Sequence, residues 1–302
     1  MGSLRGQIDG TMTESTVPES LAPASQVAAP VFTVRFWGVR GSIASPGPDT
    51  VRYGGNTPCV ELRCGDALLV LDAGTGLRPL GEALSRQGAV DLDLLLTHSH
   101  LDHICGLPFF APAFDPNSCV RLWAGHLTPD HGLRSVLRGM MSAPLFPVPV
   151  EVFTADCSFR DFQGGETLAL KPGVTVRTAR LNHPDGAVGY RVEFAGRSVC
   201  YVTDTEHPAT GRDPGVLALV RGADLLIYDS TYSDAEYPAR VGWGHSTWQE
   251  CVRLAEEAGV GRAVIFHHDP SRTDAQLDAI AAAAEAMRPG TLVAREGMVL
   301  TP

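Results

Sequence analysis

The sequence predicts an α/β protein of two β-sheets packed back to back, with helices covering each outer face. Short β-type runs fill both halves of the chain, and each half closes on helical segments, the order expected of that architecture. No short-period repeat is present, which excludes a solenoid. With 302 residues, 44% of them hydrophobic, one domain can bury a full core.

The elements follow in order. Residues 1–30 are rich in Ser, Thr, Pro and Ala and lack hydrophobic periodicity, which predicts a disordered tail ahead of a single domain over 31–302. From Val31 the runs VFTVRFWG, CVELRC, ALLVLDAG and DLDLLLTH are short strands separated by Gly, Pro and Asn-Thr punctuation, with a helix at about Leu77–Arg86. The stretch Phe109–Pro149 carries many prolines and aromatics around a short helix at about Pro129–Met140. It is either an irregular packed connection or a loop that roofs a substrate pocket. VTVRTARL, AVGYRVEF and SVCYVTD then make three consecutive strands, and DLLIYDS and RAVIFHHD two more. A helix at Thr247–Ala258 lies between those last two, and another at Asp274–Met287 follows them.

Composition excludes several classes. Asp and Glu number 34 against 24 Lys and Arg, a net charge of −10, which weighs against a protein that grips the phosphate backbone of long nucleic acids. No apolar run is long enough for a membrane span, so no membrane partner is expected. The seven cysteines are scattered, odd in number and free of any CxxC, which fits buried thiols in a reducing cytoplasm rather than a disulfide scaffold or zinc ribbon. Oligomeric state is left open, a homodimer included.

The chemistry concentrates at Thr97-His98-Ser99-His100-Leu101-Asp102-His103, an H-x-H-x-D-H directly after the apolar strand DLDLLL. Neutral imidazoles and a carboxylate suit a borderline divalent metal such as zinc, while manganese and iron accept the same ligands. His98 and His100, two apart on an extended strand end, can grip one metal. Asp102 and His103, after the chain turns into a helix, can face a second. His183, Asp204 and His267 each follow a further strand and supply the remaining ligands. A carboxylate can bridge two cations, and Asp204 is the candidate.

This order of motifs resembles the metallo-β-lactamase superfamily of binuclear metallohydrolases over about residues 31–301. The resemblance implies an αββα four-layer sandwich, the metallo-β-lactamase fold, with two divalent ions at one edge. By the family pattern His98, His100 and His183 hold the first metal, Asp102, His103 and His267 the second, and Asp204 bridges them. His268 competes with His267 for the last position, and His267 is preferred because it stands directly after the apolar run. Tyr228-Asp229-Ser230-Thr231-Tyr232 and Gly244-His245-Ser246-Thr247 resemble the H-E-A-T and G-H-S-T motifs of the ribonuclease Z branch, with Tyr228 and Asp229 departing from its His and Glu.

Thr247 with Glu250 reads as a capping box that starts a helix at Trp248, so His245 sits just ahead of a helix N-terminus. Asp229 beside it would orient the ring, and the histidine could then donate to a phosphate or leaving oxygen. The plainer alternative makes GHST a helix cap with a solvent-facing histidine. Asp72, in Asp-Ala-Gly-Thr-Gly, is expected to tie the metal-bearing loop by hydrogen bonds. His126, His131 and His207 are expected at the surface, and Asp269 either orients a ligand ring or starts a turn. The functional expectation is a metal-dependent phosphodiesterase in which a metal-bridging hydroxide attacks phosphorus, Asp102 accepts a proton, and His245 with Asp229 assists the leaving side. Small phosphodiesters such as cyclic nucleotides are favoured over structured RNA, because the charge is acidic and no basic tRNA-binding arm is visible. The alternatives are a lactonase, thioesterase or β-lactamase-type hydrolase on the same site, and a non-catalytic metal-binding sensor.

Overall fold

Residues 1–3, 6–7, 31–127 and 131–302 are described by a computed structural model. The tail expected over 1–30 therefore lies almost wholly outside the described residues, as does the start of the expected helix at Pro129. The chain first lays down β1 (Phe32–Gly38), β2 (Cys59–Cys64), β3 (Ala67–Leu71), β4 (Asp91–Leu96), β5 (Cys119–Ala124) and β6 (Asp156–Asp161). A second set follows: β7 (Thr167–Lys171), β8 (Val174–Leu181), β9 (Ala187–Phe194), β10 (Arg197–Val202), β11 (Leu225–Asp229), β12 (Arg262–Phe266) and β13 (Leu292–Val293). β14 (Val299–Leu300) returns to the first sheet. The strand orders are β14-β1-β2-β3-β4-β5-β6 and β13-β12-β11-β10-β9-β8-β7. The helices are α1 (Leu77–Ser85), α2 (Leu101–Ile104), α3 (Leu133–Met140), α4 (Pro214–Val220), α5 (Trp248–Glu257) and α6 (Asp274–Met287).

Three apolar layers hold these parts together. Alternation in β1 sends Phe32, Val34 and Phe36 inward and leaves Arg35 exposed, so one face meets the other sheet. Phe36, Leu62 and Leu71 from the first sheet pack there with Tyr190, Tyr201 and Phe266 from the second. Each such side chain, fully buried, stabilises by about 1.5–3 kcal/mol. Leu77, Leu80 and Leu84 of α1 cover the outer face of the first sheet against Leu92 and Leu94. Val216, Trp248, Cys251 and Leu277 bring α4, α5 and α6 onto the outer face of the second. The fold is thus the expected αββα sandwich.

β3 through β6 run parallel, as do β10 through β13, which is why β11 and β12 read as nearly continuous apolar runs. Parallel strands deliver their C-terminal ends to a common edge, the usual place for a site in an α/β protein.

Residues 109–149 are not one connection. Cys119–Ala124 inside them is β5, hydrogen-bonded between β4 and β6 with Val120, Leu122 and Ala124 buried. Two short turns before it place Phe110 and Ala113 in the layer over α1, and α3 after it adds Leu133 and Leu137 to the same layer. Among the described residues no helix is long and apolar enough to cross a membrane.

Candidate metal centre

Every expected metal ligand, and Asp229, comes off a strand end on one edge. His98, His100, Asp102 and His103 follow β4, His183 follows β8, Asp204 follows β10, Asp229 ends β11 and His267 follows β12. Three of these turns are sharp. Asp72, Asp204 and His267 adopt left-handed backbone, with φ of 60°, 58° and 60°. Such conformations in non-glycine residues cost on the order of 1–3 kcal/mol and persist where the surroundings over-determine them, commonly at functional sites. The neighbouring backbone must also come close. A Cβ on Gly41 would lie 2.4 Å from the His267 ring, and one on Gly244 would lie 2.3 Å from Nδ1 of His183.

Hydrogen bonds fix which ring nitrogen faces inward. Nδ1–H of His103 donates to Asp72 Oδ2 at 2.8 Å, and Nδ1–H of His183 to the Gly244 carbonyl at 2.8 Å. Thr97 Oγ1 donates to Asp72 and accepts from His98 Nδ1 at 3.1 Å. Thr231 Oγ1 donates to Asp229 Oδ1 and accepts from His267 Nδ1 at 3.0 Å. The opposite nitrogens, Nε2 of His98, His103 and His267, are buried without a hydrogen-bond partner among the described residues. Lone pairs stranded in this way are costly unless something completes them, and orienting each ring through its other nitrogen is how proteins build histidine ligands.

Among the described residues the donor atoms form four overlapping groups, each within 4.8 Å: His98, His100 and His183; Asp102, His103, Asp204 and His267; and two that include His245, one with His183 and Asp204 and one with Asp229 and His267. In the first, His100 Nδ1 lies 3.1 Å from His183 Nε2. In the second, His103 Nε2 is 3.2 Å from both Asp102 Oδ2 and Asp204 Oδ2. His267 Nε2 is 3.5 Å from Asp102 Oδ2 and 3.3 Å from Asp204 Oδ1. Asp204 Oδ1 also lies 3.8 Å from His98 Nε2 and 3.9 Å from His183 Nε2, so its carboxylate faces both of these groups. Nitrogen and carboxylate donors in this number fit two divalent cations.

Electrostatics suit His98, Asp204 and Asp102 as donors, whereas at His103 burial opposes charge but the carboxylates of Asp204, Asp102 and Asp72 outweigh it and hold the metal-free ring charged, so a metal there displaces a proton. Burial, reinforced by His103, holds His98 neutral far below the usual histidine range, as a ligand requires. Burial opposes charge on Asp204 and Asp102, but the surrounding histidines outweigh it and keep both carboxylates ionised. Ser42 N–H donates to Asp102 Oδ2 at 2.8 Å and fixes that side chain.

His245 belongs to the same edge. Its Nδ1–H donates to Asp229 Oδ2 at 2.9 Å, and its ring stacks 4.9 Å from that of His267. Burial disfavours the charged ring, but Asp229, then Asp204 and Asp102, overcome this and raise it to about 9. The two motif segments are physically joined: Tyr232 N–H donates to the Ser246 carbonyl and Trp248 N–H to that of Tyr232. Tyr228, where the motif has histidine, puts its hydroxyl 3.3 Å from Ser246 Oγ. α5 begins at Trp248 with Thr247 Oγ1 accepting from Glu250 N–H. The reciprocal half of the capping box is missing, because the Glu250 carboxylate pairs with Arg253 and Arg212 instead.

Two open alternatives are separated and one expectation is corrected. His268 turns away and places Nε2 2.8 Å from the Ala294 carbonyl. Asp269 accepts from Ser271 N–H and Oγ, which makes it a turn residue rather than an orienter of a ring. His131 is exposed, but His126 and His207 are half-buried: His126 Nε2 contacts Ser99 Oγ at 3.0 Å, and His207 Nδ1 contacts Ser246 Oγ at 2.8 Å. The supporting roles of Thr97, Thr231, Ser42 and Gly41 were not expected, although Thr97 and Thr231 stand inside the motifs themselves.

Residues 68–268 match the beta-lactamase superfamily domain. The ribonuclease Z of Bradyrhizobium sp. (strain ORS 278) is 26% identical, covering 88% of this chain and 98% of its own. That of Mycobacterium sp. (strain KMS) is 30% identical, covering 75% and 81%. The solved structure of Zn(2+)-bound PqqB from Methylobacterium extorquens shares the fold, with a TM-score of 0.68 at 18% identity over 89% of this chain and 100% of its own. The chain belongs to the beta-lactamase superfamily, in the branch that includes ribonuclease Z.

Proposed function

We propose that this protein is a cytoplasmic, binuclear metal-dependent phosphodiesterase. His98, His100 and His183 would hold one divalent ion, Asp102, His103 and His267 a second, and Asp204 would bridge the two. Zinc suits the mixed imidazole and carboxylate set, with manganese or iron accepting the same donors. Bound there, the ions supply a water of lowered pKa and neutralise phosphate oxygens.

The observation that carries the reading is the His245–Asp229 pair beside the double donor cluster. With Nδ1–H committed to Asp229, Nε2 makes no hydrogen bond among the described residues and is free to donate to a non-bridging or leaving oxygen. The positive ring meets charge that develops on phosphate, a match that neutral carbonyl substrates do not need in the same degree. Asp102, 3.2 Å from His103 Nε2 and 3.5 Å from His267 Nε2, would bind metal and accept the proton of the attacking water. The relatives named ribonuclease Z support RNA as a second substrate class, whereas the charge of −10 favours small phosphodiesters.

The test is a panel on zinc- and manganese-loaded protein: bis(p-nitrophenyl) phosphate, a cyclic nucleotide, a 3′-extended tRNA, a lactone and a β-lactam. Hydrolysis of diesters with slow or absent turnover of lactone and lactam is expected. Efficient lactone or lactam turnover with inert diesters would replace the phosphodiesterase reading.

A further inference from the structure

Large apolar side chains stand exposed directly beside the site residues. Leu101 lies between His100 and Asp102, Ile43 follows Ser42, and Trp243 precedes Gly244. Trp243 is the largest of these and is 57% exposed. It is not on a slack loop. The Glu206 carboxylate accepts from Gly242 N–H at 2.8 Å, from Gly244 N–H at 2.9 Å and from Tyr237 OH at 3.1 Å, which clamps the segment from inside. The Gly244 carbonyl in turn holds His183. Trp243 N–H donates to the Arg240 carbonyl at 3.0 Å, and that turn brings the guanidinium over the indole at 4.8 Å. Arg240 also lies 6.0 Å from the ring of Tyr232, and Tyr232 meets His245 edge-on at 6.0 Å. A chain of aromatic and cationic contacts therefore leads from His245 through Tyr232 and Arg240 to an exposed indole.

Holding a tryptophan this exposed costs apolar hydration and returns nothing to the core. A rigid indole with a guanidinium on it is what stacks on a nucleobase, and such contacts tolerate any base because every base has a π-face. Resting on the phosphodiesterase reading above, we propose that Trp243, supported by Arg240, is the subsite for a nucleobase on one ester arm of the substrate. Trp243 is then a specificity residue and takes no part in bond cleavage. Free nucleotides and RNA ends present the same base.

Two diesters with one leaving group test this on the metal-loaded full chain: thymidine 5′-p-nitrophenyl phosphate, and methyl p-nitrophenyl phosphate, which has no base. Trp243→Ala should raise KM for the thymidine ester about 10-fold with kcat retained, and change the methyl ester by less than about 2-fold. Trp243→Phe, which keeps a π-face, should stay near wild type, and both variants should keep wild-type metal content. An equal effect of Trp243→Ala on both esters would overturn the proposal. Binding of thymidine 5′-monophosphate, followed by quenching of tryptophan fluorescence, reads the subsite without turnover. Quenching should be lost in Trp243→Ala and absent with ribose 5-phosphate. No quenching in the wild type would also overturn the proposal. Inert wild type toward both esters, with quenching intact, would instead remove the phosphodiesterase reading and leave the base site standing. A parallel Trp243→Ala defect on a dinucleoside monophosphate alone assigns the site to small substrates, and a defect also on 3′-extended tRNA assigns it to RNA ends.

Discussion

Gly41→Ala asks whether His267 must stand where it does. A Cβ at Gly41 would lie 2.4 Å from both Nδ1 and Cε1 of His267 and 3.0 Å from Nε2. Comfortable contacts begin at about 3.5 Å, so ring and loop must separate by about 1 Å. Neither side yields readily. Gly41 N–H is bonded to the His268 carbonyl at 2.9 Å, and the buried Arg40 beside it donates to the carbonyls of Gly54 at 2.9 Å and Arg272 at 2.6 Å. His267 is held by Thr231 and by its left-handed backbone. Gly41 itself has no positive φ, so alanine adds a clash without backbone strain. Metal–ligand distances tolerate about 0.2 Å, and disturbing a ligand's support typically costs 10–100-fold in affinity, about 1.4–2.7 kcal/mol. Zinc titration against a chromophoric chelator should therefore find one site unchanged and the other weakened by about that factor, with kcat/KM falling in step and the far-UV spectrum kept. Two unweakened sites with wild-type turnover would refute the reasoning and remove His267 from the ligand set.

His245→Ala should keep metal content and fold while lowering kcat about 10²–10³-fold with little change in KM, as for other single-donor deletions; near wild-type turnover would return GHST to a helix cap. Asp229→Asn should follow more mildly, and the double variant should be little worse than His245→Ala, since the pair acts as a unit. Asp72→Asn turns one of the two oxygens that accept from His103 Nδ1–H, Thr97 and Tyr201 OH into a donor and removes the charge, so metal affinity should drop about 10–100-fold by the same titration. NMR titration of metal-free protein should find the His245 ring near 9 in wild type and clearly lower in Asp229→Asn. Because the folded value is raised above the usual 6.5, charge on this ring stabilises the metal-free fold fully below about 6.5, and that contribution is lost as pH rises through about 9.

What was legible in the sequence was whatever local pattern carries. α6 covers Asp274–Met287 as expected because Thr273 caps it, and His98, His100, Asp102 and His103 were plain because four donors crowd behind one apolar strand. β5 was hidden among the prolines of the surrounding segment, and β6 is a half-exposed edge strand without clean alternation. The His267–His268 doublet could not be separated by spacing; the left-handed turn at His267 and the Ala294 carbonyl waiting for His268 exist only in the fold. Thr97, Thr231 and Gly41 each meet a partner distant in sequence, Asp72 for Thr97 and His267 for the other two, and no local signal foretells those contacts.

Metal stoichiometry decides whether the two expected ligand groups are one binuclear centre. Protein purified without chelator and reconstituted with zinc should bind two ions per chain by elemental analysis, and Asp204→Ala should lose a large part of both, because no shared anion then separates the cations. Less than about half an equivalent in the reconstituted wild type, or an Asp204→Ala protein that still holds two ions, would contradict the binuclear centre built around Asp204.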